Sequence, residues 1–232
     1  MKISSNYTLT TPMDLMLGDH ICCLYESDHE QRATLRSFVQ EGWERGEKII
    51  HIMDELAPST GAPVFRAKRG DGLGKDGERE ALCVLAAQDV YLRGGAFHPD
   101  EMLSFFKDET DRALSEGYAG LRVSSEMTWA LRKKPGSDEL IEFEAKLDAY
   151  LPHSKCMAMC RWDLRRFPPI LLLYAMATHP IVMIGEEVYE NVYYMPPPEF
   201  LARRGIPVAT LHHWLESLAI RKRTIAACQT VR

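Results

Sequence analysis

The stretch Gly18-Asp19-His20-Ile21-Cys22-Cys23-Leu24-Tyr25-Glu26-Ser27-Asp28-His29-Glu30-Gln31 decides the fold. Its apolar run, His20 to Tyr25, reads as a buried strand, and the polar residues after it read as the start of a helix. Asp28 is the expected N-cap, with Gln31 three residues on as its capping-box partner. Leu35, Phe38, Val39 and Trp43 then fall on one helical face, and Gly46 ends the helix. Lys48 to Met53 is a second apolar run, so strand, helix and strand make a βαβ unit. The first strand–helix turn of such a unit is where a nucleotide-binding protein carries its phosphate loop. Here the turn has no glycine cradle and no Lys-Ser/Thr pair. A histidine and two cysteines occupy the strand instead, which points to sensing rather than ATP hydrolysis.

Outward from this unit, strands and helices keep alternating. Residues 1–17 read as a loose lead-in, and residues 54–80, rich in Gly, Pro and charge, as a flexible excursion. Leu82 to Ala86 is a third strand. Pro99 opens a helix to about Glu116, with Met102, Phe105, Phe106 and Leu114 as packing residues. Gly120 to Val123 is a fourth strand, Asp138 to Tyr150 a helix with Leu140, Phe143 and Leu147 inward, and Lys155 to Trp162 a fifth strand. Pro168 to Ala177 is helical and Ile181 to Ile184 is a sixth strand. After Pro196-Pro197-Pro198 come a short helix and a last one, Thr210 to about Ala227. The pattern predicts an α/β fold, a mostly parallel sheet covered on both faces, plus a C-terminal amphipathic helix. The domain boundary is placed near the triple proline, giving a main domain over 1–202 and a helical arm over 203–232.

The bulk numbers narrow the function. The chain has 232 residues, 46% hydrophobic and 26% charged, as an ordinary folded domain has. A net charge of −5 argues against direct nucleic-acid binding. No apolar run nears the roughly 20 residues that span a bilayer, and the N-terminus has no signal-peptide pattern. A cytoplasmic protein is expected, its six cysteines reduced.

Three constellations can carry chemistry. Gly70-Asp71-Gly72-Leu73-Gly74-Lys75-Asp76 imitates a phosphate loop but fails. Arg69 stands where the first glycine belongs, and Asp76 replaces the Mg²⁺-binding hydroxyl, so no functional nucleotide loop is present. His20 and Cys22 share a strand face, Cys160 ends the fifth strand with Cys156 on its own face, and His179 precedes the sixth. His20, Cys22, Cys160 and His179 could therefore meet at the carboxyl ends of the strands and hold a transition metal. The same residues read equally as small buried thiols and a core imidazole. Arg122 and Glu126 flank a strand end, where Arg122 could pair with Glu126 or Glu144. Trp129, Trp162, Phe167 and Tyr25 would wall a pocket, or simply fill the core. Ser124 and Ser125 lack a nucleophile elbow, and no enzyme signature stands out. His98 reads as a surface helix start, His51 as buried, and His212-His213 as solvated. The stripe Leu211, Trp214, Leu215, Leu218 and Ile225 either docks on the domain or pairs with a second copy in a homodimer.

These residues resemble a family. His20-Ile21-Cys22-Cys23-Leu24-Tyr25-Glu26 with Glu30-Gln31 is similar to the opening motif of the MEDS domain, a methanogen/methylotroph sensory domain also found in the dichloromethane-dehalogenase repressor. Further matches follow in order: Tyr91 to Phe97, Gly117 to Trp129, Pro135-Gly136, Phe143-Glu144, Cys160 to Asp163 with Arg166-Phe167, Thr178-His179-Pro180, Asn191 to Tyr194, and Pro197 to Phe200. They span roughly residues 15–202. The resemblance implies a RecA-like three-layer α/β/α domain that has lost its nucleotide loop and serves prokaryotic signal transduction. It implies a small organic ligand, such as a simple hydrocarbon derivative, with His20, Cys22 and Cys160 at positions of ligand or metal contact. A kinase or transcription regulator would receive the signal, since no output module is recognisable. The chain departs from the pattern in 55–80, unlike the usual helical stretch, and at Trp162, where Tyr is common.

Three functions compete. The first is a ligand-sensing regulatory domain with Tyr25, Arg122, Glu126, Trp129, Trp162 and His179 joining His20, Cys22 and Cys160 at the ligand. The second is an ATP-binding RecA-like regulator with an unusual loop. The third is a metal-dependent enzyme on small organics.

Overall fold

The computed structural model describes residues 15–54 and 82–202. Most of the lead-in, most of the 54–80 excursion with its Gly70–Asp76 loop, and the arm with its His pair and apolar stripe lie outside the described residues, as does the test of a boundary at 202. Among the described residues, seven strands form one sheet: β1 (His20–Tyr25), β2 (Lys48–Met53), β3 (Leu82–Ala86), β4 (Leu121–Glu126), β5 (Cys156–Asp163), β6 (Ile181–Ile184) and β7 (Glu187–Glu190). Their order is β3-β2-β4-β5-β1-β6-β7. All neighbours pair in parallel except β6 and β7. The helices are α1 (Asp28–Glu44), α2 (Ala87–Val90), α3 (Pro99–Ser115), α4 (Leu140–Tyr150), α5 (Pro169–Ala177) and α6 (Pro197–Ala202), with short 3₁₀ turns between.

Because side chains alternate along a strand, the sheet has two faces with different partners. Cys22, Leu24, Val123, Cys160 and Trp162 face one way and join residues of α3, α4 and α5 in the main core. Ile21, Cys23, Met157 and Met159 face the other way, onto Phe38 of α1. The result is the three-layer, mostly parallel α/β arrangement expected from the sequence. Central strands buried on both faces favour apolar residues at most positions. β1 and β5 are buried along their whole length, so the polar residues they do carry, His20, Arg161 and Asp163, are buried with them.

Several local expectations shift. The cap of α1 is Ser27, not Asp28: its side chain accepts from the Glu30 amide, and Glu30 Oε2 accepts from the Glu26 amide at 2.7 Å. Gly46 ends that helix at φ +69°. Trp43 and Leu114, expected inward, are each 41% exposed, because each sits near the end of its helix. β4 runs on to Glu126, past the Val123 end read from its apolar residues, since Ser124 and Ser125 continue the pairing with Met159 and Cys160. The antiparallel β7 went unforeseen; it folds back through Gly185 at φ +58°. His98 is exposed at the start of α3 and His51 is buried, as expected.

Candidate metal centre

Four side chains meet beneath the sheet, on its α4 face. His20 is the first residue of β1 and Cys160 lies within β5. Glu144 comes from α4, and His179 from the turn between α5 and β6. α4 is held there by Phe143 and Leu147, which flank Glu144 in the helical repeat and anchor in the core. All four residues are buried, with at most 2% of any one exposed.

The donor atoms converge on one carboxylate oxygen. Glu144 Oε2 lies 3.2 Å from His20 Nε2 and 3.4 Å from His179 Nε2, and it accepts from the Cys160 thiol at 3.3 Å. Cys160 Sγ is 3.7 Å from His20 Nε2, and one ligand atom from each of the four residues lies within 4.8 Å of the others. A tetrahedral zinc site, with bonds of roughly 2.0–2.3 Å, separates its donors by about 3.3–3.7 Å. The separations from Glu144 Oε2 and that between Cys160 Sγ and His20 Nε2, 3.2–3.7 Å, lie close to that spacing, and the whole set falls within 4.8 Å. The two imidazole rings lie 3.8 Å apart.

Groups behind the histidines fix their orientation. His20 Nδ1 faces Asp148 Oδ1 at 3.3 Å, and Asp148 Oδ2 accepts from the Tyr194 hydroxyl at 2.6 Å. His179 Nδ1 donates to the Ala175 carbonyl at 2.6 Å, which assigns its proton to that nitrogen. Both Nε2 atoms then point at the centre, the arrangement found behind metal-bound imidazoles.

Electrostatics leave one position wanting a positive charge. Burial pushes the His20 pKa down, but its hydrogen bonds to Asp148 and Glu144 outweigh this and raise it. Burial and then the His20 charge lower His179, so that ring is neutral. Burial would raise Glu144, yet the imidazoles of His179 and His20 beside it bring it down to about 2. Burial, with Glu144 alongside, raises the Cys160 thiol well above its usual value. His179 Nε2 and Glu144 Oε1 make no hydrogen bond to the protein. The His179 Nε2 lone pair and Glu144 Oε2 thus face one another at 3.4 Å in a buried site, which is costly without a cation or proton between them. A divalent ion with one carboxylate and one thiolate makes a neutral set, and bound metal deprotonates a thiol outright. The residues fit a transition metal of zinc type, with mixed N, S and O donors.

The other site residues read from the sequence fall in separate places. Cys22 stays outside the group, and Glu144 takes its part. Cys22 instead lies beside Cys160 in register. Trp129 and Trp162 are buried in the same core, Trp129 stacked 4.8 Å from Tyr91, and neither indole N–H has a protein partner. Tyr25 and Glu126 lie on the opposite face at the carboxyl edge. There Gln31 Nε2 donates to Glu126 Oε1 at 2.8 Å, and Arg161 donates to the Gln31 carbonyl. Arg122 pairs with neither Glu126 nor Glu144. Its Nε donates to Glu47 at 2.6 Å and its Nη1 to Glu41 at 3.2 Å, since β4 starts beside the C-terminal end of α1. The cluster therefore is not the crevice at the carboxyl strand ends that was expected. It lies inside the α4 layer and starts from the amino end of β1.

A family model described as MEDS, MEthanogen/methylotroph, DcmR Sensory domain, matches residues 19–180. The chain belongs to this family. No curated protein matches the chain. Among solved structures, a KaiC-like protein PH0186 from Pyrococcus horikoshii OT3 is similar at 11% identity, with 77% of this chain and 80% of that chain covered and a TM-score of 0.45. The flagellar accessory protein FlaH from Methanocaldococcus jannaschii is similar at 12% identity, covering 78% of this chain and 83% of that chain, with a TM-score of 0.44. Likenesses this loose say nothing of what the MEDS domain here binds.

Within this MEDS domain, Glu144 and Asp148 are the site residues that sequence reasoning missed. They lie one helical turn apart and are buried, against the usual exposure of acidic residues. Their spacing, i and i+4 on a helix otherwise apolar inward, was the available signal.

Proposed function

We propose that this MEDS domain is a regulatory sensor whose sensing element is a divalent transition metal held by His20, Glu144, Cys160 and His179. The observation that carries the reading is the convergence of three donors on Glu144 Oε2 with both histidines fixed from behind. A metal at such a centre supplies Lewis acidity and an affinity for small polar atoms. Trp129 and Trp162, in the same core cluster as Cys160, each carry an indole N–H without a protein partner, and we read them as contacts for a small organic ligand. The signal passes to a partner such as a kinase or transcription regulator, and the domain acts as a regulator rather than as a catalyst.

The strand–helix turn opposes the ATP-binding alternative. Ser27 and Glu30 themselves occupy amides of the kind that would cradle phosphate, and Asp28 and Glu30 place negative charge where a triphosphate would sit. Cobalt(II) titration tests the metal reading. The protein should develop a thiolate-to-cobalt absorption band at one equivalent, and Cys160→Ser should abolish it. A band that survives in Cys160→Ser, or no band at all, contradicts the reading.

A further inference from the structure

One short segment, between β7 and α6, holds both histidines of the centre from behind. Asn191 Nδ2 donates to the Met176 carbonyl at 2.5 Å and to that of His179 at 2.8 Å. The Asn191 amide donates to the Pro180 carbonyl at 2.8 Å, and the Met195 amide to that of Ala177 at 2.9 Å. Three residues on, the Tyr194 hydroxyl reaches Asp148, the carboxylate that backs His20. The segment is thus tied to the backbone on both sides of His179 and, through Asp148, to His20. Beyond it, Phe200 of α6 packs with Ala145 and Ala177, and its ring meets Tyr174 edge-on at 6.1 Å. α4 consequently presents Glu144 and Asp148 to the centre and the intervening Ala145 to α6. Val192 is 38% exposed and Tyr194 is half-buried, so the segment lies at the surface with one hydroxyl reaching inward.

We propose that Asn191–Met195 is the readout of the buried centre, with Asn191 and Tyr194 as positioning residues. This rests on the metal reading above and adds the route by which occupancy reaches the surface. A cation on His20 Nε2 makes its Nδ1–H a stronger donor to Asp148. That fixes one carboxylate oxygen on His20 and leaves the other for Tyr194. A cation on His179 Nε2 likewise fixes the turn whose carbonyls Asn191 holds. Metal binding and ordering of the segment are therefore linked, and the linkage is reciprocal: whatever loosens the segment weakens the metal, by the same factor.

Two measurements on the full chain test this with Zn²⁺ as the probe. Hydrogen exchange of the wild type should show the amides of Tyr193, Tyr194 and Met195 protected about tenfold or more by one equivalent of Zn²⁺. Competition against a chromophoric chelator should show Tyr194→Phe binding Zn²⁺ about tenfold more weakly than the wild type. The melting temperature of metal-free Tyr194→Phe should stay near that of the metal-free wild type, which separates positioning from mere packing. Unchanged exchange in these amides, or unchanged Zn²⁺ affinity in Tyr194→Phe, overturns the inference while the metal reading stands. A wild type that takes up no Zn²⁺ overturns both. The exchange measurement needs no variant, so it holds even if the substitution impairs folding.

Discussion

Glu144 is the residue on which the centre turns, because its buried Oε2 lies within 3.4 Å of the Nε2 atoms of His20 and His179 and accepts from the Cys160 thiol. Against the effect of burial, the imidazoles beside it hold its carboxyl pKa at about 2, below the usual 4.5. A depressed carboxyl contributes stability that is present above its unfolded pKa and is lost as pH falls through the folded one. Urea melts of the metal-free wild type should therefore lose this contribution between pH 4.5 and about 2. Glu144→Gln should be less stable at neutral pH by about 2–3 kcal/mol, the scale of hydrogen bonds to a charged group, and should lack that part of the acid dependence. Parallel acid profiles for the two proteins would contradict the assignment. Arg122 makes the contrasting case on the other face. It is fully buried between Glu47 and Glu41 and lies 4.8 Å from the Phe38 ring. Arg122→Met should cost about 3–5 kcal/mol in urea melts, because it strands buried carboxylates, without touching metal binding. A variant that also lost metal would show the two faces to be coupled.

At the scale of elements, the turn between β1 and α1 is closed by its own side chains. Ser27 and Glu30 close the helix start on themselves, so Ser27→Ala should lower the melting free energy by about 1 kcal/mol, read from chemical denaturation. Equal stability would mean that the cap contributes nothing. Strands β1, β2, β3, β5 and β6 were legible from apolar runs, since strands buried on both faces admit little else. The helices were legible from their period. Registers and neighbours were not. Arg122 and Glu126 share a face, yet a long side chain at the start of β4 reaches α1, and only the strand order reveals that. Likewise the spacing of Glu144 and Asp148 marks α4 as carrying buried acids, but not His20, far away in the chain, as their partner. His20, Cys160 and His179 were legible by residue type, and their meeting depends on β5 lying beside β1 and β1 beside β6. Gly136 shows the same limit: its φ of +80° and the Phe97 carbonyl 2.0 Å from where a Cβ would stand make it a packing necessity that no spacing announces.

For the molecule as a whole, one mostly parallel sheet separates two environments. One face buries Arg122 and Arg161 against α1, and the other buries the His/Glu/Cys/His centre under α4. No helix among the described residues is long and apolar enough to cross a membrane. The account requires the second face to hold a cation when the protein is made in a cell. Elemental analysis of protein purified without chelators or added metal tests this directly. The account predicts about one transition-metal ion per chain in the wild type, lost in both His20→Ala and Cys160→Ser. Metal-free wild type that stays folded and refuses added zinc or cobalt would contradict it.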